Sequence, residues 1–264
     1  MSDPKRTATI DKYTIYLQTL CADAMTIIER GSPLLRLPRN LNRRQTLFLD
    51  GIRHAVEIAD YGYVRLVEEL TKLALANRRG EQPNGSYTTP FLYAWAVVDA
   101  IDRIRALLHL MPGLRRVPRS DGKPGFRYQT KAIRDLRNVT HHLAQRVDYV
   151  IAQNGTALGK LSWITILTIE PIQILSCAII PGTLANIEAQ LVNPAGRESV
   201  VGPSDLITLN AGEHTASLSE AMIELRRIVE TLEEVLSSWI SKSGLENERA
   251  GTDTLVVALM EFED

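Results

Sequence analysis

The sequence predicts a mainly α-helical α+β protein, in which an antiparallel helical bundle is followed by a small β-sheet and an amphipathic C-terminal helix. Apolar residues recur at helical spacing through most of residues 1–153. Residues 160–180 are apolar and rich in β-branched side chains, and residues 218–241 return to a strong helical period. We therefore divide the chain into a helical bundle over residues 1–153 and a smaller α+β portion of unknown role over residues 154–264.

Two amphipathic helices are predicted at the start of the bundle. Residues 10–30 form the first, which ends at the Gly-Ser-Pro sequence beginning at Gly31. Residues 42–77 form a longer one, in which Gly51 and Gly62 are candidate kinks because glycine weakens a helix interior. The following segment is rich in Gly, Pro and Asn, which is typical of a surface loop.

Two further helices are predicted in the second half of the bundle. Thr89 is expected to cap the third helix, with Pro90 at its first helical position. This helix runs to Leu110, where a Met-Pro-Gly sequence ends it. After an arginine-rich loop, a fourth helix is predicted over residues 127–153.

The second half of the chain reads as strands followed by a helix. Residues 160–170 and 171–180 are predicted strands, and the second is bounded by prolines. Residues 186–192 and 205–209 are weaker strand candidates, with an Asn-Pro-Ala-Gly turn between them. We expect these segments to form a small sheet.

A helix and a last strand are predicted after the sheet. Ser217 and Glu220 have the spacing of a capping box, which predicts that a helix begins at Leu218 and continues to residue 241. Residues 254–262 are apolar and β-branched enough to predict a final strand.

Composition indicates a soluble globular protein without a metal or disulfide framework. Hydrophobic residues make up 45 % and charged residues 23 % of the chain. No apolar run approaches the roughly 18 residues of a membrane span, so we expect a cytoplasmic protein that makes no membrane contact. Cys21 and Cys177 are too few for a zinc site and are expected to pack as small apolar residues. No metal ligand set or cofactor motif is found, and we predict neither.

Charge is distributed unevenly behind a net charge of −1. Residues 112–137 contain eight basic and two acidic residues, whereas residues 213–264 contain twelve acidic and four basic residues. A basic segment attracts a polyanion, and an acidic one repels it. The same charge distribution would arise without a polyanion, if two solvated surfaces of opposite charge help a dimer or a partner to dock.

The fourth predicted helix has one apolar face and one face rich in functional groups. Its apolar stripe comprises Ile133, Leu136, Val139, Thr140, Leu143, Val147 and Val150. On the other side, Arg137 and His141 are neighbours, as are Asn138 and His142, because each pair is four residues apart. Histidine can donate or accept protons near neutral pH, and arginine offers a planar fork for a phosphate.

These residues resemble a known family motif. Arg137, Asn138 and His142 fit the R-N-x-x-x-H pattern of the HEPN superfamily, helical-bundle proteins that include metal-independent ribonucleases of toxin–antitoxin and antiviral systems. The resemblance covers roughly the helical half. It implies an endoribonuclease that cleaves RNA to a 2′,3′-cyclic phosphate, acts as a homodimer, and has an antitoxin or regulatory protein as a partner.

The resemblance also implies residue roles. His142 would be the general acid or base, Arg137 would stabilise charge on the phosphate, and Asn138 would orient the phosphate or the histidine. His141 could assist or replace His142. The RNA-binding residues would be the bases of the adjoining loop and helix: Arg115, Arg116, Arg119, Lys123, Arg127 and Arg134.

Several alternatives remain open on the sequence alone. Arg137 could instead pair with a nearby acid on a solvated helix face, in a non-catalytic HEPN-like module that binds nucleotide, RNA or protein. Asp99 and Asp102 could add a polar group to the site, or form a solvent-facing pair. Phe126 and Tyr128 could stack on bases, although anchoring in the core or loop is the favoured interpretation.

Isolated histidines and a glycine-rich segment do not suggest further chemistry. His54, His109 and His214 stand alone in the sequence and are expected to be structural. Residues 155–161 differ from a phosphate-binding loop in glycine spacing and in lacking Ser or Thr after Lys160. A small-molecule enzyme that uses the β portion is a third hypothesis, and no motif supports it.

Overall fold

The computed structural model confirms the predicted fold class: the chain is mixed α+β and mainly α. It describes residues 26–81, 87–111, 125–141, 156–169, 172–182, 191–193, 203–244 and 253–258, with single positions at 145, 148 and 151. The helices are α1 (Arg43–Arg78), α2 (Thr88–Leu110), α3 (Phe126–Gln129), α4 (Lys131–His141) and α5 (Leu218–Lys242). The strands are β1 (Lys160–Ile169), β2 (Ile172–Ile179), β3 (Ser204–Ala211) and β4 (His214–Ser217).

Helix α1 confirms the long helix predicted over residues 42–77. Asn42 caps it, because its side-chain Oδ1 accepts a hydrogen bond from the Gln45 N–H at 2.8 Å. The helix continues through both glycines, which lie where α2 packs. A Cβ atom at Gly51 would stand 3.1 Å from Leu107, and one at Gly62 would stand 3.3 Å from Val97. The glycines therefore allow close, antiparallel packing of α1 and α2.

Helix α2 ends at Leu110 as predicted but begins differently. Its N-cap is Tyr87, whose side chain makes no capping hydrogen bond, and Thr88 is the first helical residue. Thr89 is therefore not the cap, and Pro90 occupies the third helical position. Proline is tolerated there because the first turn has no intrahelical acceptor for its backbone nitrogen.

The two remaining helices predicted in the bundle are only partly described. Residues 1–25 lie outside the described part of the chain, and residues 26–30 form bends and a turn rather than the predicted helix end. Helices α3 and α4 replace the start of the helix predicted over residues 127–153, with a break at Thr130. The Thr130 hydroxyl donates to the Phe126 carbonyl at 2.6 Å, a side-chain bond that competes with helical pairing. Most of residues 142–155 are outside the described ranges.

The strands form one antiparallel sheet in the order β2-β1-β3-β4. Strands β1, β2 and β3 confirm the predictions at residues 160–170, 171–180 and 205–209. Strand β4 was not predicted; it pairs with β3 through a two-residue turn in which Gly212 has a φ of 59°. Of the candidate strand at residues 186–192, positions 186–190 lie outside the described residues, and residues 191–193 have no regular structure.

The C-terminal helix is confirmed and the last strand is not. Ser217 caps α5 by accepting a hydrogen bond from the Glu220 N–H at 3.2 Å. Residues 253–258 are exposed and irregular, and the rest of the predicted strand lies outside the described residues. The segment pairs with no strand of the described sheet, so its apolar side chains Leu255, Val256 and Val257 remain exposed.

Helices, sheet and α5 share one hydrophobic core among the described residues. Leu66 of α1, Ile101 of α2, Leu136 of α4, Leu209 of β3 and Leu225 of α5 are all fully buried members of it. A buried hydrogen-bond chain also crosses it: the Tyr63 hydroxyl donates to Ser219 Oγ at 2.8 Å, and the Ile207 N–H donates to the same oxygen at 2.9 Å. No helix in the described ranges is long and apolar enough to cross a membrane.

Candidate functional site at the seam between α2 and α4

Arg137 lies at the seam between α2 and α4, where two carboxylates hold it. Its Nε donates to Asp99 Oδ1 at 3.0 Å, and its Nη1 donates to Asp102 Oδ2 at 3.1 Å. Asp102 is buried, whereas the Asp99 side chain is 51 % exposed and that of Arg137 38 % exposed. The alternative that Asp99 and Asp102 form a solvent-facing pair is therefore wrong, because both aspartates face Arg137.

The sequence explains why Arg137 faces α2. Ile133, Leu136 and Val139 are buried as predicted, and they fix the rotation of α4 about its axis. Arg137 follows the buried Leu136 at the edge of this stripe, and Asp99 and Asp102 are three apart on one side of α2. The apolar packing thus sets the geometry of the ion pair.

A buried arginine extends the network along the seam. Arg105 Nη1 donates to the Arg127 carbonyl and to Thr130 Oγ1, each at 2.5 Å. Its Nε lies 3.5 Å from Asp102 Oδ1 and makes no hydrogen bond within the described part of the chain. Burial lowers the pKa of Arg105. Asp102 opposes that shift, whereas the charges of Arg127 and Arg134 add to it.

Arg105 and Thr130 were not predicted as site residues. The available signal was the three-residue spacing of Asp99, Asp102 and Arg105, which places charges along one side of an otherwise apolar helix. That spacing does not reveal that Arg105 is buried, since burial depends on how α3 folds back over α2.

The exposed residues of the seam are mostly basic. Arg134 and Asn138 are exposed on α4. Arg127 is exposed on α3, and its Nη1 lies 2.8 Å from His109 Nδ1 at the end of α2. His109 therefore does not stand alone. Phe126 is buried in the core as expected, whereas Tyr128 is 74 % exposed.

The seam brings some predicted site residues together and leaves others undescribed. Arg137, Asn138, Arg134 and Arg127 all lie along it. His142 is outside the described residues, as are four of the predicted RNA-binding residues: Arg115, Arg116, Arg119 and Lys123. His141 is the last residue of α4, and its side chain is also outside the description.

A second arginine cluster lies on α1. Arg53 is buried and forms a two-bonded pair with Asp253, from Nη1 at 3.0 Å and from Nη2 at 2.7 Å. His54, beside it, lies 2.8 Å from Arg53 Nη2 and 3.3 Å from Glu57. The hydrogen bonds from Arg53 lower the pKa of Asp253. His54, like His109, has charged partners rather than standing alone.

Comparison with protein-family models, with curated proteins and with solved structures finds no match. Within the described ranges, no three His, Cys, Asp or Glu side chains are grouped so that they could hold a metal ion.

Proposed function

We propose that this chain is a HEPN-type, metal-independent endoribonuclease that acts in the cytoplasm as a toxin or antiviral-defence effector. The observation that carries the proposal is the position of Arg137. It is held in a fixed orientation by Asp99 and Asp102, stays partly exposed, and adjoins the exposed Asn138 on the same helix. An oriented guanidinium next to an amide suits the recognition of a phosphate whose charge grows during a reaction.

The proposed reaction is a transesterification within RNA. A histidine, His142 by its spacing in the motif, takes the proton from a ribose 2′-hydroxyl, and the 2′-oxygen attacks the adjacent phosphorus. The bond to the 5′-oxygen breaks, and a general acid protonates that oxygen. The products are a 2′,3′-cyclic phosphate and a free 5′-hydroxyl.

The other residues act on the phosphate. Arg137 neutralises the charge that develops on the non-bridging oxygens, and Asn138 orients the phosphate or the histidine. In the proposed homodimer, the second copy of the motif supplies the second acid or base. Within one chain, His141 is the alternative for that role.

Asp99 and Asp102 are positioning residues in this proposal. An arginine keeps its charge at all accessible pH values, so the carboxylates do not remove its ability to bind a phosphate. They restrict its rotamers, which lowers the entropy lost when the phosphate arrives.

The test is cleavage of total RNA in EDTA by the wild-type protein and by the Arg137→Ala, His142→Ala double variant. We expect EDTA-resistant cleavage that leaves 2′,3′-cyclic ends and falls by at least about 100-fold in the double variant. Arg65→Ala is the matched control, because Arg65 is an exposed arginine on α1 that pairs with Glu68. Cleavage by the double variant at the wild-type rate would remove both residues from the mechanism.

A second candidate is a non-catalytic HEPN-like module that binds RNA, nucleotide or a regulatory protein such as an antitoxin. The observation that favours it is that two carboxylates compensate the charge of Arg137. In the same assay, this candidate predicts that the wild-type protein leaves RNA intact while still binding labelled RNA or a protein partner.

A further inference from the structure

We propose that single-stranded RNA binds along the seam beyond the scissile position, with backbone phosphates on Arg134 and on the Arg127–His109 pair and with a base stacked on Tyr128. This inference rests on the proposed function and adds to it a substrate form and the residues along which the strand lies. Every residue that carries it is described, and all of them except Arg137 lie outside the proposed catalytic set.

The first support is the spacing of the arginines. Arg134 and Arg137 are three residues apart, so helical geometry places them near each other on α4, whereas Arg127 lies on α3, before the break at Thr130. Arg137 contacts α2 at Asp99, and Arg127 contacts it at His109, which is about 15 Å further along the same helix at about 1.5 Å per residue. That length suits a strand of a few nucleotides, and we call Arg127, Arg134 and Arg137 the basic stripe.

The second support is the excess of positive charge along the seam. Four described arginines (105, 127, 134 and 137) lie near three described aspartates (99, 102 and 135), and Asp135 also pairs with Lys131. Burial lowers the pKa of Arg105, and the nearby charges of Arg127 and Arg134 add to that shift, whereas Asp102 and Asp135 oppose it. A bound phosphate at the His109 end would relieve the repulsion among these arginines.

The third support is that Arg127 is held in place. The Arg105 guanidinium binds the Arg127 backbone carbonyl, and the Arg127 side chain contacts His109 Nδ1 at 2.8 Å. Both contacts fix where the guanidinium is presented. The carbonyl bond uses the backbone, so substituting the Arg127 side chain leaves it intact.

The fourth support distinguishes a single strand from a duplex. Tyr128 directly follows Arg127, and its side chain is 74 % exposed. Single-stranded nucleic acid is bound by a positively charged groove combined with aromatic side chains on which bases stack, whereas the bases of a duplex are already stacked. An exposed tyrosine beside an anchored arginine provides both parts.

The experiment measures binding of fluorescently labelled, fully 2′-O-methylated RNA, which cannot be cleaved, over a range of salt concentrations. For the Arg127→Ala, Arg134→Ala double variant, we expect the slope of log affinity against log salt to shrink by about 1.4, at about 0.7 per phosphate contact on a single strand. Tyr128→Ala should weaken binding by about tenfold without changing that slope, and Tyr128→Phe should restore the affinity.

Arg78→Ala is the matched control. Arg78 is an exposed arginine at the end of α1, which lies beside the start of α2 and far from His109. It should change neither the affinity nor the slope. Circular dichroism of each variant checks that the fold is kept.

The outcomes separate this inference from the proposed function. Suppose that the wild-type protein cleaves RNA, but that affinity and salt slope are unchanged in both the double variant and Tyr128→Ala. That result would overturn the seam as the binding site without contradicting the proposed ribonuclease activity. Tighter binding of a duplex than of a single strand would overturn the substrate form. A wild-type protein that neither cleaves nor binds RNA would overturn both.

Discussion

Two arginines bridge separate elements of this molecule, and their surroundings have opposite charge. Arg53 binds both oxygens of Asp253, and Asp50 and Glu57 also lie within 4.0 Å of its guanidinium. Arg137 divides its bonds between Asp99 and Asp102, and the other charged groups that act along its seam are Arg105, Arg127, Arg134 and Asp135, which leaves an excess of positive charge. The acidic surroundings of Arg53 repel a phosphate, whereas those of Arg137 attract one. A salt bridge therefore does not by itself decide whether an arginine is structural.

The largest expected change in stability distinguishes the two aspartates that bind Arg137. Asp102→Asn should lower the free energy of unfolding by about 3 kcal/mol. The substitution removes the carboxylate that contacts both Arg137 and the buried Arg105. Asp99→Asn should cost less than about 1 kcal/mol, since that carboxylate is half exposed. Urea unfolding of both variants measures the difference, and equal losses would show that the seam is not organised around the buried aspartate.

A smaller effect on stability concerns Asp60, a carboxylate on α1 whose Oδ1 is buried without a hydrogen bond in the described part of the chain. Burial raises its pKa, while the hydrogen bond from the Ile27 N–H and the charge of Arg226 oppose that shift. A folded-state pKa above the unfolded value means that Asp60 contributes most stability below the unfolded pKa. That contribution is lost as pH rises through the folded pKa. Asp60→Asn should therefore stabilise the protein at pH 7 by on the order of 0.5 kcal/mol relative to pH 4.

Thermal unfolding of wild type and Asp60→Asn at the two pH values measures this difference. Asp60→Glu, which keeps the charge, is the control. If Asp60→Asn lost stability at pH 7 but not at pH 4, the effect would have the opposite sign to the prediction. The charged form of Asp60 would then be the stabilising one.

The smallest effect is expected at Asp253, whose side chain is 68 % exposed. Hydrogen bonds from Arg53 lower its pKa, so its contribution is present above the unfolded pKa and is lost as pH falls through the lower folded pKa. Asp253→Asn should leave the unfolding midpoint nearly unchanged and should accelerate limited proteolysis within residues 253–258. Unchanged proteolysis at pH 7 would mean that Arg53 does not restrain this segment. RNA cleavage should be unaffected, in contrast with substitution of Arg137.

The fold was predictable where local signals agree with packing. The periodicity of α1, the capping box at Ser217 and the apolar runs of β1 and β2 all correspond to observed elements. The errors arise where tertiary contacts decide. Residues 254–258 have strand composition but pair with neither edge strand of the described sheet, and the preceding Asp253 binds Arg53 of α1 instead. The Thr130 side chain interrupts a helix whose pattern continues through it.

The candidate site was predictable only in part, for a related reason. The spacing of Arg137 and Asn138 identifies one face of a helix, and the sequence shows the adjacent basic segment. It does not show that Asp102 and Arg105 are buried together, because that depends on α3 and α4 packing across α2. The exposure of Tyr128 was likewise hidden, since a tyrosine beside the buried Phe126 is as consistent with the core as with the surface.

The buried Ser219 hydroxyl has a consequence for how such a chain can evolve. It accepts hydrogen bonds from Tyr63 on α1 and from the backbone of β3, so it joins the two halves of the sequence inside the core. Suppose that recombination exchanged one half of the sequence for that of a distant homologue. The Tyr63 hydroxyl or the Ser219 hydroxyl would then lose its hydrogen-bond partner unless both residues were replaced together. The halves are therefore expected to be inherited as a unit rather than shuffled among unrelated proteins.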